Sequence, residues 1–213
     1  MKTDDLVMLL AAGEGPVPSH AAARRFAPAL GLGMLVAGLM MVGLLGVRPD
    51  LAEAARLPMF WVKLGYVAIL AVVSLMAVLR LSRPGVRLDK VPAALVASVL
   101  SMWVLAAFVL IHAEPAQRMG MVFGNTWKEC PSLIAMLSLP IFAATLWAMR
   151  GLAPTRLKWA GAAAGFLSGS MGAVIYSLHC PNLDAPFIGT WYLLGILIPT
   201  LVGALLGPRL LRW

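Results

Sequence analysis

Residues 91–111 read VPAALVASVLSMWVLAAFVLI and contain no charged side chain. About twenty apolar residues are needed for an α-helix to cross the hydrocarbon core of a bilayer. Similar runs occur on both sides of this one, and short connections marked by proline and charged residues separate them. The sequence therefore predicts six transmembrane helices, at 27–47, 60–79, 91–111, 131–149, 159–178 and 187–206.

The overall composition supports this prediction. Of 213 residues, 61% are hydrophobic and 12% are charged, with a mean hydropathy of +0.89, whereas about a quarter of a soluble domain is charged. We expect an all-α, polytopic membrane bundle at 27–206. We expect a cytoplasmic N-terminal segment at 1–26 and a tail at 207–213 to flank it and to leave no room for a soluble domain.

The distribution of basic residues predicts the orientation, because Lys and Arg concentrate on the cytoplasmic side. Twelve of the 17 lie on the side of the two termini, and five lie on the other. The twelve are Lys2, Arg24, Arg25, Arg80, Arg83, Arg87, Lys90, Arg150, Arg156, Lys158, Arg209 and Arg212. The five are Arg48, Arg56, Lys63, Arg118 and Lys128. Both termini are predicted to be cytoplasmic. The net charge of +8 fits contact with anionic lipid and gives no sign of direct nucleic-acid binding.

The predicted spans lack ionisable residues at their centres, where such residues are costly and functional. Lys63 is placed at a helix start, and His112 and His179 at helix ends. This pattern argues against ion-coupled transport, whereas a passive pore stays an alternative interpretation. Since no combination of serine, histidine and acid, no phosphate-binding loop and no paired carboxylates occur, no catalytic residue is predicted and the chain is not expected to be an enzyme.

The fifth predicted span carries Gly161, Gly165 and Gly169 at intervals of four. A stripe of small residues lets another helix backbone approach closely. We favour packing within the bundle over the alternative, a homodimer face.

Cys130 and Cys180 are the two cysteines of the chain, and proline follows each of them. Cys130 precedes the fourth predicted span and Cys180 follows the fifth, so both are predicted at the outer face and side by side. His179 is adjacent to Cys180. Two sulfurs and an imidazole suit a thiophilic ion such as zinc, cadmium or copper(I).

Three interpretations of this pair remain open. A structural disulfide is permitted on the oxidising side of the membrane. A metal or redox sensor is the second interpretation, and a catalytic pair is the third. The third has less support, because the Cys-x-x-Cys and Cys-x-Cys spacings of thiol oxidoreductases are absent.

The N-terminal residues 3–12 predict a short helix with acidic residues in its first turn, where they complement the helix dipole. The linker around Pro16 and Pro18 follows. So short a helix is unstable alone in water and needs a surface that accepts its apolar face. Because membrane-surface helices are usually basic, we favour a protein partner. The predicted contact residues are Asp4, Asp5, Leu6, Leu9 and Leu10.

Several motifs together resemble the NrsF-type family of membrane-bound negative regulators of extracytoplasmic-function sigma factors in proteobacteria. The most specific are His179-Cys180-Pro181 and the closing Leu211-Arg212-Trp213. One departure is Asn182, where many relatives carry an acid. The other matches are Met1 to Leu6, Pro16-Val17-Pro18, Trp127 to Cys130, Arg150 to Pro154, Gly161 to Gly165, Tyr176 and Trp191-Tyr192.

The resemblance implies an anti-sigma factor of the bacterial inner membrane. It assigns binding of the sigma factor to about residues 1–25. It assigns sensing of heavy metal or oxidative stress to Cys130 and Cys180 on the periplasmic side. The alternatives from other classes are a passive metal or small-solute channel and a quinone-linked thiol oxidoreductase.

The predicted topology can be tested with reporter fusions. Fusions after Arg87 and after the C-terminal residue should report cytoplasm, and a fusion near Arg118 should report periplasm, because the basic residues divide twelve to five. An external C-terminus would contradict the predicted orientation and the placement of both cysteines.

Overall fold

The computed structural model describes residues 3–12, 21–152 and 154–212. Helices account for its regular secondary structure, and these residues contain no strand. The helices are α1 (Thr3–Ala12), α2 (Ala21–Met40), α3 (Leu51–Ala54), α4 (Pro58–Leu81), α5 (Val91–His112), α6 (Pro115–Phe123), α7 (Cys130–Arg150), α8 (Leu157–Tyr176), α9 (Ala185–Phe187) and α10 (Leu193–Leu210). A π-helical turn, Met41–Leu45, extends α2, and another, Ile188–Tyr192, joins α9 to α10.

Within the described ranges, five helices are long and apolar enough to cross a membrane. They are Ala22–Leu45, Pro58–Leu81, Val91–His112, Cys130–Arg150 and Ala185–Leu210. Each matches a predicted span to within about five residues. The all-α membrane bundle is therefore confirmed.

Helix α8 corresponds to the predicted span at 159–178 and is not among these five. Its 20 residues include several glycines and serines, which lower its apolarity. Helices α4, α7 and α10 all pack against it, and most of its side chains are buried. Because α8 is shielded by other helices, it needs less apolar surface than a helix that faces lipid. The count of six spans stays a prediction.

The glycine stripe of α8 faces α10. A Cβ atom on Gly161 would lie 2.1 Å from the carbonyl oxygen of Gly203, and one on Gly165 would lie 2.0 Å from that of Pro199. A Cβ atom on Gly169 would lie 2.9 Å from the Cα atom of Ile196. The stripe is thus occupied by a helix of the same chain.

The ends of the bundle differ from the predicted boundaries. Helix α2 begins at Ala21, inside the predicted 1–26 segment, because alanine and arginine are strong helix formers and extend the helix beyond the apolar run. Helix α10 continues to Leu210, inside the predicted 207–213 tail. The predicted helix at 3–12 is present at those residues. The predicted linker around Pro16 and Pro18 lies outside the described residues.

The close approach of α8 and α10 generates a stability prediction. Gly165→Ala should lower the free energy of unfolding by about 2 kcal/mol, the usual range for overpacking, because the new methyl group meets backbone that cannot rotate away. The control is Gly31→Ala in α2, where a Cβ atom would meet nothing within 4 Å. Thermal unfolding of both purified variants in detergent measures the difference. Equal stability of the two variants would contradict the close contact.

Candidate functional site

Both cysteines lie at one end of the bundle, which we call the cysteine end. Cys130 is the first residue of α7, and Cys180 lies four residues beyond the last residue of α8. The adjacent helices α7 and α8 run in opposite directions, since Gly172 near the end of α8 packs against Ile134 near the start of α7. Both cysteines are fully buried, and neither is in a disulfide.

Thr126 connects the segments that carry the two cysteines. Its carbonyl oxygen accepts a hydrogen bond from the backbone N–H of Cys130 at 2.9 Å. Its hydroxyl oxygen lies 4.0 Å from the Sγ atom of Cys180 and accepts a 2.8 Å hydrogen bond from Nδ2 of Asn182. Gly124 adopts a φ of +54°, and a Cβ atom there would lie 2.8 Å from Nδ2 of Asn182. The two loops are therefore fitted closely to each other.

His179 lies beside the pair but makes its contacts elsewhere. Its Nδ1 atom is 2.8 Å from the carbonyl oxygen of Gly46, and its ring lies 5.7 Å from the ring of Tyr176. In the part of the chain that the structure describes, no three His, Cys, Asp or Glu side chains are grouped closely enough to hold a metal ion. The structure thus joins the segments of Cys130 and Cys180 through Thr126, and among the described residues it groups no third ligand of these types with them.

Arg48 holds the end of α2 against the cysteine end. Its Nε and Nη2 atoms donate to the two carboxylate oxygens of Asp50 at 2.7 and 2.6 Å. This paired hydrogen bond raises the pKa of the Arg48 guanidinium and lowers the pKa of the Asp50 carboxyl group. Nη1 of Arg48 donates to the carbonyl oxygen of Cys180 at 3.3 Å, and its backbone N–H donates to the carbonyl oxygen of Leu178 at 3.1 Å.

Lys63 also belongs to the cysteine end, although the sequence patterns predicted no role for it. Helix α4 starts at Pro58, so Lys63 lies in its second turn, and its side chain is fully buried. Its Nζ atom donates to the carbonyl oxygens of Cys180 at 2.9 Å and Asn182 at 3.0 Å, and lies 5.1 Å from the centroid of the Tyr192 ring. Helical periodicity was the signal available, since Lys63 shares the buried face of α4 with Phe60, Val67 and Leu70.

The predicted partner-binding residues lie in α1, which is far from both cysteines in the sequence. The side chains of Leu6 and Leu9 are 44% and 68% exposed, and the first turn contains Asp4 and Asp5. Leu10 belongs to the same helix, but its side chain lies outside the described set. Among the described side chains of α1, the apolar ones are thus presented on the surface.

These features define a polytopic α-helical membrane protein with an exposed apolar N-terminal helix and a buried pair of cysteines at one end of the bundle. The chain belongs to the NrsF family, described as "Negative regulator of sigma F", whose model matches residues 10–213. The match includes the whole bundle and the cysteine end.

Two relatives align with this chain over its full length and theirs. The "Probable anti-sigma-F factor NrsF" of Azospira oryzae is 60% identical over 213 residues. The "Anti-sigma-F factor NrsF" of Caulobacter vibrioides is 41% identical over 225 aligned positions. No solved structure matches the chain. Membership confirms the resemblance found in the sequence, and the regulatory role of the family confirms the prediction that this chain is not an enzyme.

Proposed function

We propose that this chain is an anti-sigma factor of the bacterial inner membrane with both termini in the cytoplasm. It holds an extracytoplasmic-function sigma factor through α1 and releases it when the periplasmic pair Cys130 and Cys180 reacts with a thiophilic metal ion or an oxidant. The names of the two relatives support the sigma factor as partner. The observation that carries the binding role is the exposed apolar face of α1.

The shape of α1 fits a groove on a protein partner. Leucines three positions apart on a helix share one face, and exposed leucines gain free energy when a partner removes them from water. The acidic first turn favours a partner whose groove has a basic rim. A helix of ten residues has little stability of its own, so binding also fixes its conformation.

The chemistry of the cysteine pair fits a sensor of two kinds of reagent. A two-electron oxidation joins the two sulfur atoms in a disulfide, and the two electrons and two protons pass to the oxidant. A thiophilic metal ion instead binds both sulfurs as thiolates and releases their protons. Either product changes the packing of two buried side chains where α7 begins and α8 ends.

The binding role of α1 can be tested with Leu6→Ala combined with Leu9→Ala. At about 2 kcal/mol for each buried leucine, the double variant should bind the sigma factor about a thousandfold more weakly. Affinity is measured by titrating the sigma factor against the full-length protein in detergent or nanodiscs. The matched control is Leu201→Ala combined with Leu205→Ala on α10, where both side chains are also exposed but face lipid in the proposed arrangement. Unchanged affinity of the α1 variant would remove α1 from the interface.

The cysteine pair can be tested by comparing Cys130→Ser, Cys180→Ser and the double variant. If the two thiols act as one unit, each single variant should lose reagent-induced release of the sigma factor as completely as the double variant does. The measurement is the fraction of sigma factor recovered in solution after treatment of membranes with diamide or with cadmium chloride.

Thermal unfolding of the same variants provides the control for a purely structural role. A structural pair should lower stability without a selective loss of release. A single variant that still responds fully to both reagents would argue against the pair as the sensor.

A further inference from the structure

The side chain of Lys63 is buried, and no acidic side chain among the described residues forms an ion pair with it. Within the ranges 3–12, 21–152 and 154–212, the ion pairs join Arg48 to Asp50 and Arg80 to Asp89, and Lys63 belongs to neither. Burial of a charged group is costly, and an apolar side chain of similar length often fills such a space with equal or better stability. Packing alone therefore gives no reason for a lysine at this position.

The contacts of Lys63 converge on the segment that carries Cys180. The carbonyl oxygen of Cys180 accepts from Lys63 at 2.9 Å and from Arg48 at 3.3 Å. The guanidinium of Arg48 is already neutralised by Asp50, whereas Lys63 adds a second contact to the same segment at the carbonyl oxygen of Asn182, 3.0 Å away. Hydrogen bonds from a charged donor are stronger than neutral ones. Lys63 thus connects this segment directly to α4 by two hydrogen bonds.

Helix α4 extends from this contact to the opposite end of the bundle. Its 24 residues span about 36 Å at 1.5 Å per residue, and it packs against α8 and α5. At its far end, Nη1 of Arg80 donates to the carbonyl oxygen of Leu88 at 3.0 Å and to the carboxylate of Asp89 at 2.6 Å. Helix α4 therefore contacts the Cys180 segment near its start and the connection between α4 and α5 at its end.

We propose that Lys63 is a positioning residue that holds the backbone of Cys180 against α4, so that a reaction at the cysteine pair is transmitted to this helix. The proposal rests on the proposed function. When an oxidant takes two electrons and two protons from the thiols and a disulfide forms, or when a metal ion replaces the two thiol protons, the Cys180 carbonyl shifts and Lys63 loses its acceptors. Without the ammonium group, the Cys180 segment is held less firmly and the reaction at the thiols no longer acts on α4.

The test compares Lys63→Met with Lys128→Met in the full-length protein in membranes. Lys128 precedes Cys130 at the same end and is exposed, with its Nζ atom 5.5 Å from the Trp127 ring, so the control removes an equal charge. N-ethylmaleimide alkylation is followed for each thiol separately by peptide mass spectrometry. In Lys63→Met, alkylation of Cys180 should become about tenfold faster, since loss of a hydrogen bond to a charged group shifts local opening by at least that factor. Alkylation of Cys130 should change much less.

A merely electrostatic effect of the lysine would give a different result. Removal of the positive charge would slow both thiols together, because it disfavours both thiolates. Rates for Cys180 that stay at the wild-type value, or that fall in parallel with those of Cys130, overturn the proposal. Lys63→Arg, which keeps the charge and the donors, should restore slow alkylation of Cys180.

Release of the sigma factor provides the second readout. Lys63→Met should still capture the sigma factor, and the fraction released by diamide should fall to that of the variant without both cysteines. Release at the wild-type level would overturn the role of Lys63. If the wild-type protein itself keeps its sigma factor under diamide, the proposed function fails, while the alkylation comparison still decides the role of Lys63.

A third measurement leaves Lys63 itself unchanged and covers the case in which Lys63→Met does not fold. Acetylation of Lys63 by acetic anhydride, which transfers one acetyl group to Nζ and releases acetate, is measured in the wild-type protein before and after diamide. Labelling should increase after treatment and stay low in the variant without both cysteines, because the ammonium group loses its carbonyl partners only when the thiols react. Labelling that does not respond to diamide in the wild-type protein overturns the proposal.

Discussion

The arrangement of this bundle depends on the direct backbone contact between α8 and α10. At Gly161 and Gly165, an added methyl group would come within about 2 Å of a carbonyl oxygen of the opposing helix. Helices in a bilayer gain no hydrophobic free energy by associating, so close van der Waals packing has to hold them together. Because α8 is narrow on this face, α10 approaches it closely while α4 and α7 pack on its other sides. That packing fixes the end of α8 next to the start of α7, where the two cysteines lie.

The arrangement of the cysteine end depends on a second constraint, which is that polar groups away from water need hydrogen-bond partners. Backbone carbonyls beyond the end of a helix lack partners within the helix and must find them elsewhere. Here the carbonyls of Cys180 and Asn182 are satisfied by Lys63, and that of Gly46 by His179. Side chains from α4 and from the loop after α2 therefore converge on the segment after α8. A buried lysine is the cost of this solution, and it lies at the same end of the bundle as the two cysteines.

Local signals in the sequence were sufficient to locate the helices, whereas the contacts of the site were not local. A run such as 91–111 has one stable conformation in a bilayer, so its position could be predicted. The role of Thr126 depends on loops 56 residues apart in the sequence meeting at Asn182, which no pattern within either loop reveals. His179 is adjacent to Cys180, yet its ring contacts Gly46, because neighbouring residues at a helix end point in different directions. Adjacency to Cys180 in the sequence was the reason to predict His179 as a metal ligand. In the described structure its ring is not grouped with the two sulfur atoms.

Burial of both thiols constrains how a sensor of this kind could work. Since Cys130 and Cys180 are fully inaccessible in this structure, a reagent reaches them only in a state in which the cysteine end has opened. Under the proposed function, a reagent that binds only the open state shifts the population towards it, and the closed state is the one that retains the sigma factor. Coupling between two sites is reciprocal. Opening of the cysteine end therefore weakens binding of the sigma factor at α1 by a certain factor, and a bound sigma factor lowers the opening equilibrium at the thiols by the same factor. The contacts of Lys63 contribute to the free energy that separates the open and closed states.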